Sequence, residues 1–321
     1  MCLIAVVLWG FGDRWWPATV LLFIGRWIFL LPLVVLIPAA ALLRRALLVP
    51  LALSALIVAG PIVGFRTGWT SWLPHGSGMH FRVVTFNTDG GEQIAPLLPV
   101  LLTEWQPDVV AFQECGESLI EATRHVDGWY HHDVRALCLL SRYPIRGVSV
   151  MNRDALERVK EDEVAGIGGS GDVARYAIQT PRGTISFTNV HLETPRKGLE
   201  GLLGVFDVRR LEQNTELRNI ESSLARRWVG SGESRIPLLV AGDFNTPVES
   251  RIFQEHWGDL TDAFSHTGFG LGMTKYNGWI RVRIDHVLSG NAWHADHTTV
   301  GPDLGSDHRP VIVDLTLGRS M

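Results

Sequence analysis

The sequence has few cysteines, and this scarcity excludes one class of protein. Its 321 residues contain three cysteines, Cys2, Cys115 and Cys138, whose spacing matches no metal-binding motif. Cys2 stands in an apolar segment, so at most one pair is left for the main domain. A fold held together by a disulfide scaffold is therefore excluded, and cysteine usage leaves the cellular compartment open.

A basic excess is also absent. The first 75 residues contain five basic residues and one acidic residue, which leaves 24 basic and 32 acidic residues for the remainder. That remainder carries a net charge of −8, whereas a protein that binds nucleic acid nonspecifically usually shows an excess of positive charge. The charge balance disfavours such a protein, although it leaves room for a local basic patch.

The beginning of the chain consists largely of two long, uncharged apolar runs. Trp27–Leu43 and Ala46–Phe65 are each close to the roughly 17–25 residues that cross a bilayer as a helix. We predict a membrane region over residues 1–66, with transmembrane helices at about 27–43 and 46–65 and a partial helix at 2–11. The alternative is a buried helical hairpin of a soluble protein. A cleaved signal peptide fits poorly, because two long runs follow one another.

Arg44 and Arg45 separate the two runs and set the predicted orientation. Short loops rich in arginine stay on the cytoplasmic side of a membrane, so the second helix would carry the chain outward. We expect a multi-pass protein of the cell membrane, with its main domain outside the cytoplasm. Residues 67–80, rich in Gly, Ser, Trp and Pro, form the predicted linker, and residues 81–321 form the main domain.

A strand–helix–strand pattern opens the main domain. The first predicted strand, Phe81–Phe86, ends at Asn87, and the second, Asp108–Phe112, ends just before Glu114. The strands of such a unit are parallel, so their carboxyl ends lie at the same edge of the sheet, where ligands gather. Asn87 and Glu114 are therefore predicted neighbours, and Glu114 is a candidate metal ligand. The alternative for Glu114 is a solvated loop position.

A second strand end carries two oxygen donors. The apolar run Pro237–Ala241 predicts a buried strand, and Asp243 and Asn245 follow it. Carboxylate and carboxamide oxygens suit a divalent cation such as magnesium, or a phosphate held by one. An ordinary turn is the alternative, because Gly, Asp and Asn are common turn residues.

Further titratable side chains lie beside other predicted strands. His191 follows one strand and Asp285 lies within another. Asp307 and His308 immediately precede the last strand, where a histidine can supply a proton or an electrostatic contact to a phosphate. A lone histidine such as His191 is more often structural, so the pattern leaves its role open.

Taken together, these motifs resemble the endonuclease/exonuclease/phosphatase superfamily of metal-dependent phosphoesterases, from about residue 81 to the end. They occur in the order typical of that superfamily: Asn87, Gln113-Glu114, Asn189-Val190-His191-Leu192, Gly242-Asp243-Phe244-Asn245, Ile284-Asp285-His286 and Ser306-Asp307-His308-Arg309-Pro310. The resemblance implies an α/β (α+β) fold, a four-layer αββα sandwich with two central mixed β-sheets. Here that domain would be preceded by transmembrane helices.

The resemblance also implies a metal site. Glu114, with Asn87 nearby, would hold Mg²⁺, and Asp307 would complete or adjust the site. Mn²⁺ is the alternative cation.

The remaining matched residues take catalytic roles by the same resemblance. Asp243 would orient or deprotonate the attacking water, and Asn245 would hold the phosphate and the water. His308, oriented by Asp285, would contact the phosphoryl oxygen in the transition state. His191 would be a second contact to the phosphate or to the leaving group. Arg175, at the start of a predicted strand, is a further candidate phosphate contact.

Members of the superfamily act on nucleic acids, inositol phosphates, phospholipids or isoprenoid pyrophosphates, and the shared catalytic residues do not distinguish these substrates. The membrane region and the acidic domain favour a phosphoester or pyrophosphate of a membrane lipid, with the bilayer as the partner and no protein partner predicted. An anchored extracytoplasmic nuclease, with nucleic acid as its substrate, is the alternative enzyme. An inactive binding or scaffold domain is the alternative from another class, disfavoured because every expected catalytic position is filled.

Overall fold

The structure is a computed structural model that describes residues 1–72, 77–154, 156, 171–232, 236–278 and 280–318. Residues 73–76 of the predicted linker therefore lie outside the described part of the chain.

Two six-stranded mixed sheets form the centre of the molecule. The first sheet has the order β15-β16-β2-β3-β5-β4, with β2 Met79–Gly90, β3 Val109–Cys115, β4 Tyr130–Val134, β5 Leu137–Ser141, β15 Trp293–Val300 and β16 Val311–Leu317. The second sheet has the order β10-β14-β9-β8-β7-β6, with β6 Ile145–Val150, β7 Asp172–Thr180, β8 Gly183–His191, β9 Leu238–Asp243, β10 Thr261–Asp262 and β14 Asp285–Ser289. Two short pairs accompany them: β1 Arg66–Thr67 with β11 Phe269–Gly270, and β12 Lys275–Asn277 with β13 Ile280–Val282.

Helices cover the outer faces of both sheets and form the beginning of the chain. Within the described residues the α-helices are α1 Cys2–Val6, α2 Trp16–Phe23, α3 Leu31–Leu43, α4 Leu48–Ile57, α5 Leu98–Trp105, α6 Glu117–Arg124, α7 Arg196–Val205, α8 Val208–Gly230, α9 Arg251–Trp257 and α10 Ala263–Thr267.

The alternation of side chains along each strand explains the layers. In β2, Phe81 and Val83 point into the core between the two sheets, whereas Val84 and Phe86 point outward to the layer that contains α5 and α6. In β8, Phe187 faces the core between the sheets, and Val190 faces the outer layer with α8 and α9. Each sheet is thus buried on both faces, and the predicted four-layer sandwich is confirmed.

The described cysteines of the main domain are joined. Cys115 at the end of β3 forms a disulfide with Cys138 in β5, with their Cα atoms 6.0 Å apart. Both strands are neighbours in the first sheet, so the bridge crosses an antiparallel pair. The pair left open by the sequence is therefore a disulfide.

Two helical stretches at the beginning of the chain, Arg26–Leu43 and Arg45–Ile62, are long and apolar enough to cross a membrane. Most of the side chains of α3 and α4 are exposed in the isolated molecule. The short helix α1 lies beside this pair, since Met1, Ile4 and Ala5 pack against the cluster that includes Val58.

The segment that leaves the second stretch is held by the main domain. Arg66 and Thr67 of β1 pair with Gly270 and Phe269 of β11. The hydroxyl of Thr70 donates a hydrogen bond to the carbonyl of His266. The first part of the predicted linker therefore lies against the domain.

Candidate active site

The ends of neighbouring strands bring the predicted site residues together. His191 at the end of β8, Asp243 at the end of β9 and Asp285 at the start of β14 lie side by side in one row of the second sheet. In the first sheet, β2 and β3 are parallel, and Asn87 lies in register with Gln113, one residue before Glu114. The two sheets place both groups at one edge of the sandwich, because Asn87 contacts Glu114 and Asp243 together.

The backbone at this edge requires particular residue types. Gly242 has φ +147°, and a Cβ at this position would lie 1.9 Å from the carbonyl oxygen of Val190 in β8. A side chain would therefore separate β8 from β9. Glu114 (φ +50°) and Asn245 (φ +51°) both adopt the left-handed region. Non-glycine residues held there cost about 1–3 kcal/mol each and are concentrated at functional sites.

Asn87 links the two sheets across the site. Its side-chain amide donates to Glu114 Oε1 at 2.9 Å and to Asp243 Oδ2 at 3.0 Å. The oxygen of the same side chain accepts the amide hydrogen of Asp89 at 3.2 Å. In this arrangement Asn87 positions two carboxylates, and its oxygen does not face them as the predicted ligand role would require.

Asp243 is buried, and the amide of Asn245 donates to its Oδ1 at 2.9 Å. Burial, reinforced by the nearby carboxylate of Asp285, raises the pKa of Asp243 above the usual range. A carboxylate with a raised pKa accepts a proton from a reacting group more readily than an ordinary one. The side chain of Asn245 donates to the carbonyl of Leu192 at 2.8 Å, which fixes its orientation.

His308 and Asp285 form a buried pair. His308 Nδ1 lies 2.8 Å from Asp285 Oδ2, and its Nε2 lies 3.6 Å from Asp243 Oδ2. Although burial alone lowers the pKa of a histidine, the carboxylates of Asp285 and Asp243 raise the pKa of His308 to about 9. His308 is therefore a cation at neutral pH, with Nδ1 bound to Asp285 and Nε2 directed into the site.

His191 lies on the other side of Asp243. Its Nε2 is 3.5 Å from Glu114 Oε1 and 3.9 Å from Asp243 Oδ2. The structure therefore brings His191 into the cluster, where its ring nitrogen faces the two carboxylates that Asn87 connects.

Asp307 lies at the exposed rim. Its Oδ1 is 3.8 Å from His308 Nε2, and its other oxygen forms an ion pair with Lys275 Nζ. Lys275, in β12, forms an isolated strand bridge with His308. Sequence reasoning missed Lys275, because no motif surrounds it and β12 lies beside the site only in the folded chain.

Arg175, predicted as a phosphate contact, is not brought into the cluster by the structure. Its guanidinium lies 4.7 Å from the centre of the Trp228 ring and donates to the carbonyl of Trp228 at 3.3 Å. Arg175 pairs with Thr188 in β8, three residues before His191, and its side chain points to α8 on the outer face of the sheet. The position in the strand therefore directs it away from the site.

A second missed residue, Arg218 in α8, supports the loop after β9. It is buried and donates to the carbonyl of Asn245 at 2.9 Å. Arg218 Nη1 also lies 3.5 Å from Asp13 Oδ1, in the segment that precedes α2. The helical pattern around Arg218 contained no signal for this contact.

Two of the predicted metal ligands carry oxygen donors of the kind that divalent metals prefer. Glu114 and Asp307 offer carboxylate oxygens, and their side chains are 41% and 43% exposed, open enough for a hydrated cation. Among the described residues, Asp243, Asp285 and His308 also approach within 4.8 Å of one another. A protonated imidazole has no free lone pair to offer, so this second group acts better as an acid–base pair than as a ligand set.

Comparison with known proteins agrees with the fold and the order of the motifs. The family model for the Endonuclease/Exonuclease/phosphatase family matches residues 84–308, more than half of the chain. Enzymes of this family generally use divalent metals. No curated protein matches the chain.

Solved structures share the fold at low sequence identity. An endonuclease/exonuclease/phosphatase from Beutenbergia cavernae has 18% identity over 74% of this chain and 72% of its own, with a TM-score of 0.53. The mannosyl-6-phosphatase Bt3783 of Bacteroides thetaiotaomicron has 16% identity over 74% and 100%, with a TM-score of 0.51. The 3′ phosphatase NExo from Neisseria, bound to a product DNA hairpin, has 17% identity over 73% and 98%, with a TM-score of 0.52. Identities this low show the fold alone.

Proposed function

The chain belongs to the endonuclease/exonuclease/phosphatase family, and we propose that it is a membrane-anchored, Mg²⁺-dependent phosphoesterase. Its substrate is a phosphoester or pyrophosphate of a membrane lipid, cleaved by water. Residues 1–66 form the membrane region of this enzyme, and residues 81–321 form its catalytic domain. The bilayer is the partner that this arrangement requires.

Glu114 and Asp307 would hold the metal, while Asn87 positions Glu114 through a hydrogen bond. A cation held there would supply positive charge to offset the negative charge that develops on the phosphate oxygens. Mn²⁺ has a similar preference for oxygen ligands and is the alternative cation.

The chain's own residues supply the remaining chemistry. Asp243 accepts a proton from the attacking water, because its pKa is raised and Asn87 and Asn245 hold its two oxygens in place. Cationic His308, held by Asp285, donates a hydrogen bond to a phosphoryl oxygen as negative charge accumulates there. His191 contacts the phosphate or the leaving group from the opposite side, and Asn245 completes the contacts to phosphate.

One observation carries the choice of a lipid substrate: the loop after Asp243 packs on the apolar N-terminal segment. Glu249 in this loop forms a buried ion pair with Arg26, at the start of the first long apolar stretch, with 3.2 Å between Nη1 and Oε1. Asp13, in the segment before α2, accepts a hydrogen bond from the hydroxyl of Ser250. If residues 26–43 and 45–62 lie in a bilayer, the catalytic edge faces that bilayer.

Two features support an extracytoplasmic catalytic domain. Arg44 and Arg45, between the two apolar stretches, are expected on the cytoplasmic side. The disulfide between Cys115 and Cys138 is typical of oxidising compartments and rare in the cytosol. A carboxyl-terminal alkaline-phosphatase fusion should therefore be active in cells, and an inactive, stably expressed fusion would contradict this orientation.

The substrate class is tested on the purified full-length protein in lipid nanodiscs with Mg²⁺. Undecaprenyl pyrophosphate, sphingomyelin and duplex DNA are supplied in parallel, and released phosphate, phosphocholine and nicked DNA are measured. We expect turnover of a lipid and slow or no nicking. Rapid nicking without lipid turnover would favour the nuclease, and folded, metal-binding protein that is silent on all three would favour a scaffold.

A further inference from the structure

A large cavity lies between the apolar N-terminal segment and the catalytic domain. Its volume is about 1180 Å³, somewhat above the roughly 300–1,000 Å³ typical of pockets for small molecules. One side of it is formed by Trp27, near the start of the first apolar stretch, and by Val63, just after the end of the second. Phe264 of α10 and Leu271, just after β11, form part of the other side.

The mouth of the cavity is aromatic. Trp72 and Phe269 line it, and their side chains are 82% and 74% exposed in the isolated molecule. Phe65, three residues beyond the second apolar stretch, packs edge-to-face on Phe269, with ring centres 5.5 Å apart. Exposed aromatic residues beside the ends of membrane helices lie at the interface between hydrocarbon and water. The cavity is therefore open at the level where the chain leaves the apolar stretches.

One short segment separates the cavity from the catalytic residues. Met273 and Tyr276 line the cavity. Thr274 and Lys275, between them, face the candidate site: the Thr274 hydroxyl accepts the amide hydrogen of Asp285 at 3.1 Å, and Lys275 pairs with Asp307. None of the site residues lines this cavity. The cavity therefore lies next to the candidate site, and a molecule inside it would not occupy the position of the reacting phosphate.

Positive charge lies where the cavity approaches the site. The guanidinium of Arg281, which lines the cavity, is 5.2 Å from the centre of the Tyr276 ring. The guanidinium of Arg309, next to His308 in the chain, is 4.5 Å from the same ring and forms an ion pair with Asp303. The cavity thus has a partly apolar wall and the cation of Arg281 at its site-proximal end, which suits a molecule with an apolar chain and an anionic head.

We propose that this cavity binds the hydrocarbon chain of the lipid whose phosphate occupies the catalytic site. Arg281 would lie beside the end of the hydrocarbon that carries the phosphate. This assignment rests on the proposed function and specifies how that substrate is held. Each buried methylene is expected to improve apparent affinity about fourfold until the cavity is filled. The value of kcat/KM should therefore rise with chain length and then level off.

Two bulky substitutions test the assignment through specificity. Leu271→Trp and Thr299→Trp each place an indole in the cavity, on different parts of its wall. We expect each to lower the ratio of kcat/KM for a twelve-carbon over a two-carbon alkyl phosphoester at least tenfold. Leu203→Trp, on an exposed position of α7 that does not line the cavity, is the matched control and should leave the ratio unchanged. An unchanged ratio in both cavity variants would overturn the proposal.

A photo-crosslinking measurement tests chain binding without requiring turnover. A phosphorylated lipid with a terminal diazirine is bound to the full-length protein in nanodiscs, and the attachment sites are mapped by mass spectrometry. We expect attachment near Leu271 and Met273, and weaker attachment there by the phosphate-free alcohol. Attachment confined to the outer surfaces of α3 and α4, or equal labelling by the alcohol, would overturn the proposal. Labelling of the cavity without lipid turnover would support chain binding while contradicting the proposed activity.

Discussion

Replacing His308 by glutamine tests both the catalytic and the structural role of its ion pair. Glutamine keeps a polar side chain of similar length but has no positive charge. The buried carboxylates of Asp285 and Asp243 would then lack the positive charge that offsets their mutual repulsion. We expect a lower rate of phosphoester hydrolysis and a lower free energy of unfolding.

The pKa of His308 sets the size of the structural effect. A rise from its ordinary value of 6.5 to about 9 corresponds to about 3 kcal/mol of preference for the charged form in the folded state. Because the folded-state pKa is the higher one, this stabilisation is fully present below pH 6.5 and is lost as the pH rises through about 9. His308→Gln should therefore be destabilised by about 3 kcal/mol at pH 6, and the difference should shrink above pH 9.

Kinetics measure the catalytic effect. Loss of one donor to the developing phosphoryl charge typically costs about 10²–10³ in kcat. The high-pH decline of kcat in the unmodified enzyme, expected as His308 loses its proton near pH 9, should disappear in the variant. His125→Gln, at an exposed position immediately after α6, is the matched control and should behave like the unmodified protein. Near-normal kcat with an unchanged pH profile in the His308 variant would refute the reasoning.

Four further predictions follow from other contacts. Glu114→Gln should lower kcat at least about 100-fold and weaken activation in a Mg²⁺ titration, because it removes a negative charge from the proposed metal site. Arg26→Leu should cost about 3 kcal/mol in chemical unfolding, since it removes the ion-pair partner of the buried Glu249, and adding Glu249→Leu should recover part of that loss. Arg175→Ala should retain kcat within about threefold, because its contacts are with Trp228; a 100-fold loss would restore the phosphate role. Cys115→Ser should lower the free energy of unfolding by about 3 kcal/mol under non-reducing conditions, and an equal effect in reductant would contradict the disulfide.

Much of the candidate site was predictable because parallel strands deliver their ends to one edge of a sheet. Asn87 and Glu114 lie near the carboxyl ends of β2 and β3, and Asp243 is the last residue of β9. Each strand carries enough apolar residues to predict burial, and the polar residue that follows must then lie where the chain emerges. The order of six such motifs therefore predicted the family and the two sheets, and it named residues that the fold brings together at one edge.

Side-chain direction was less predictable, since it depends on the face that each strand position occupies. Arg175 begins the predicted strand but is the fourth residue of β7, and its place in the register directs it to Trp228. Asn87 lies where it was expected, yet its amide nitrogen faces the carboxylates, because its oxygen accepts the amide hydrogen of Asp89. A motif specifies the position of a residue in the chain, and only its neighbours determine the atom that it presents.

Contacts between distant parts of the chain were decided by the tertiary structure alone. Hydropathy predicted the apolar stretches by itself, because a long run without charge is a property of composition. The pairing of Arg26 with Glu249 and of Asp13 with Arg218 joins residues more than 200 positions apart, and no local pattern encodes it. Those pairings hold the apolar segment against the loop after β9 and against α8. The sequence by itself predicted the residue types of the candidate site, and the three-dimensional packing decided which of them meet and what lies beside them.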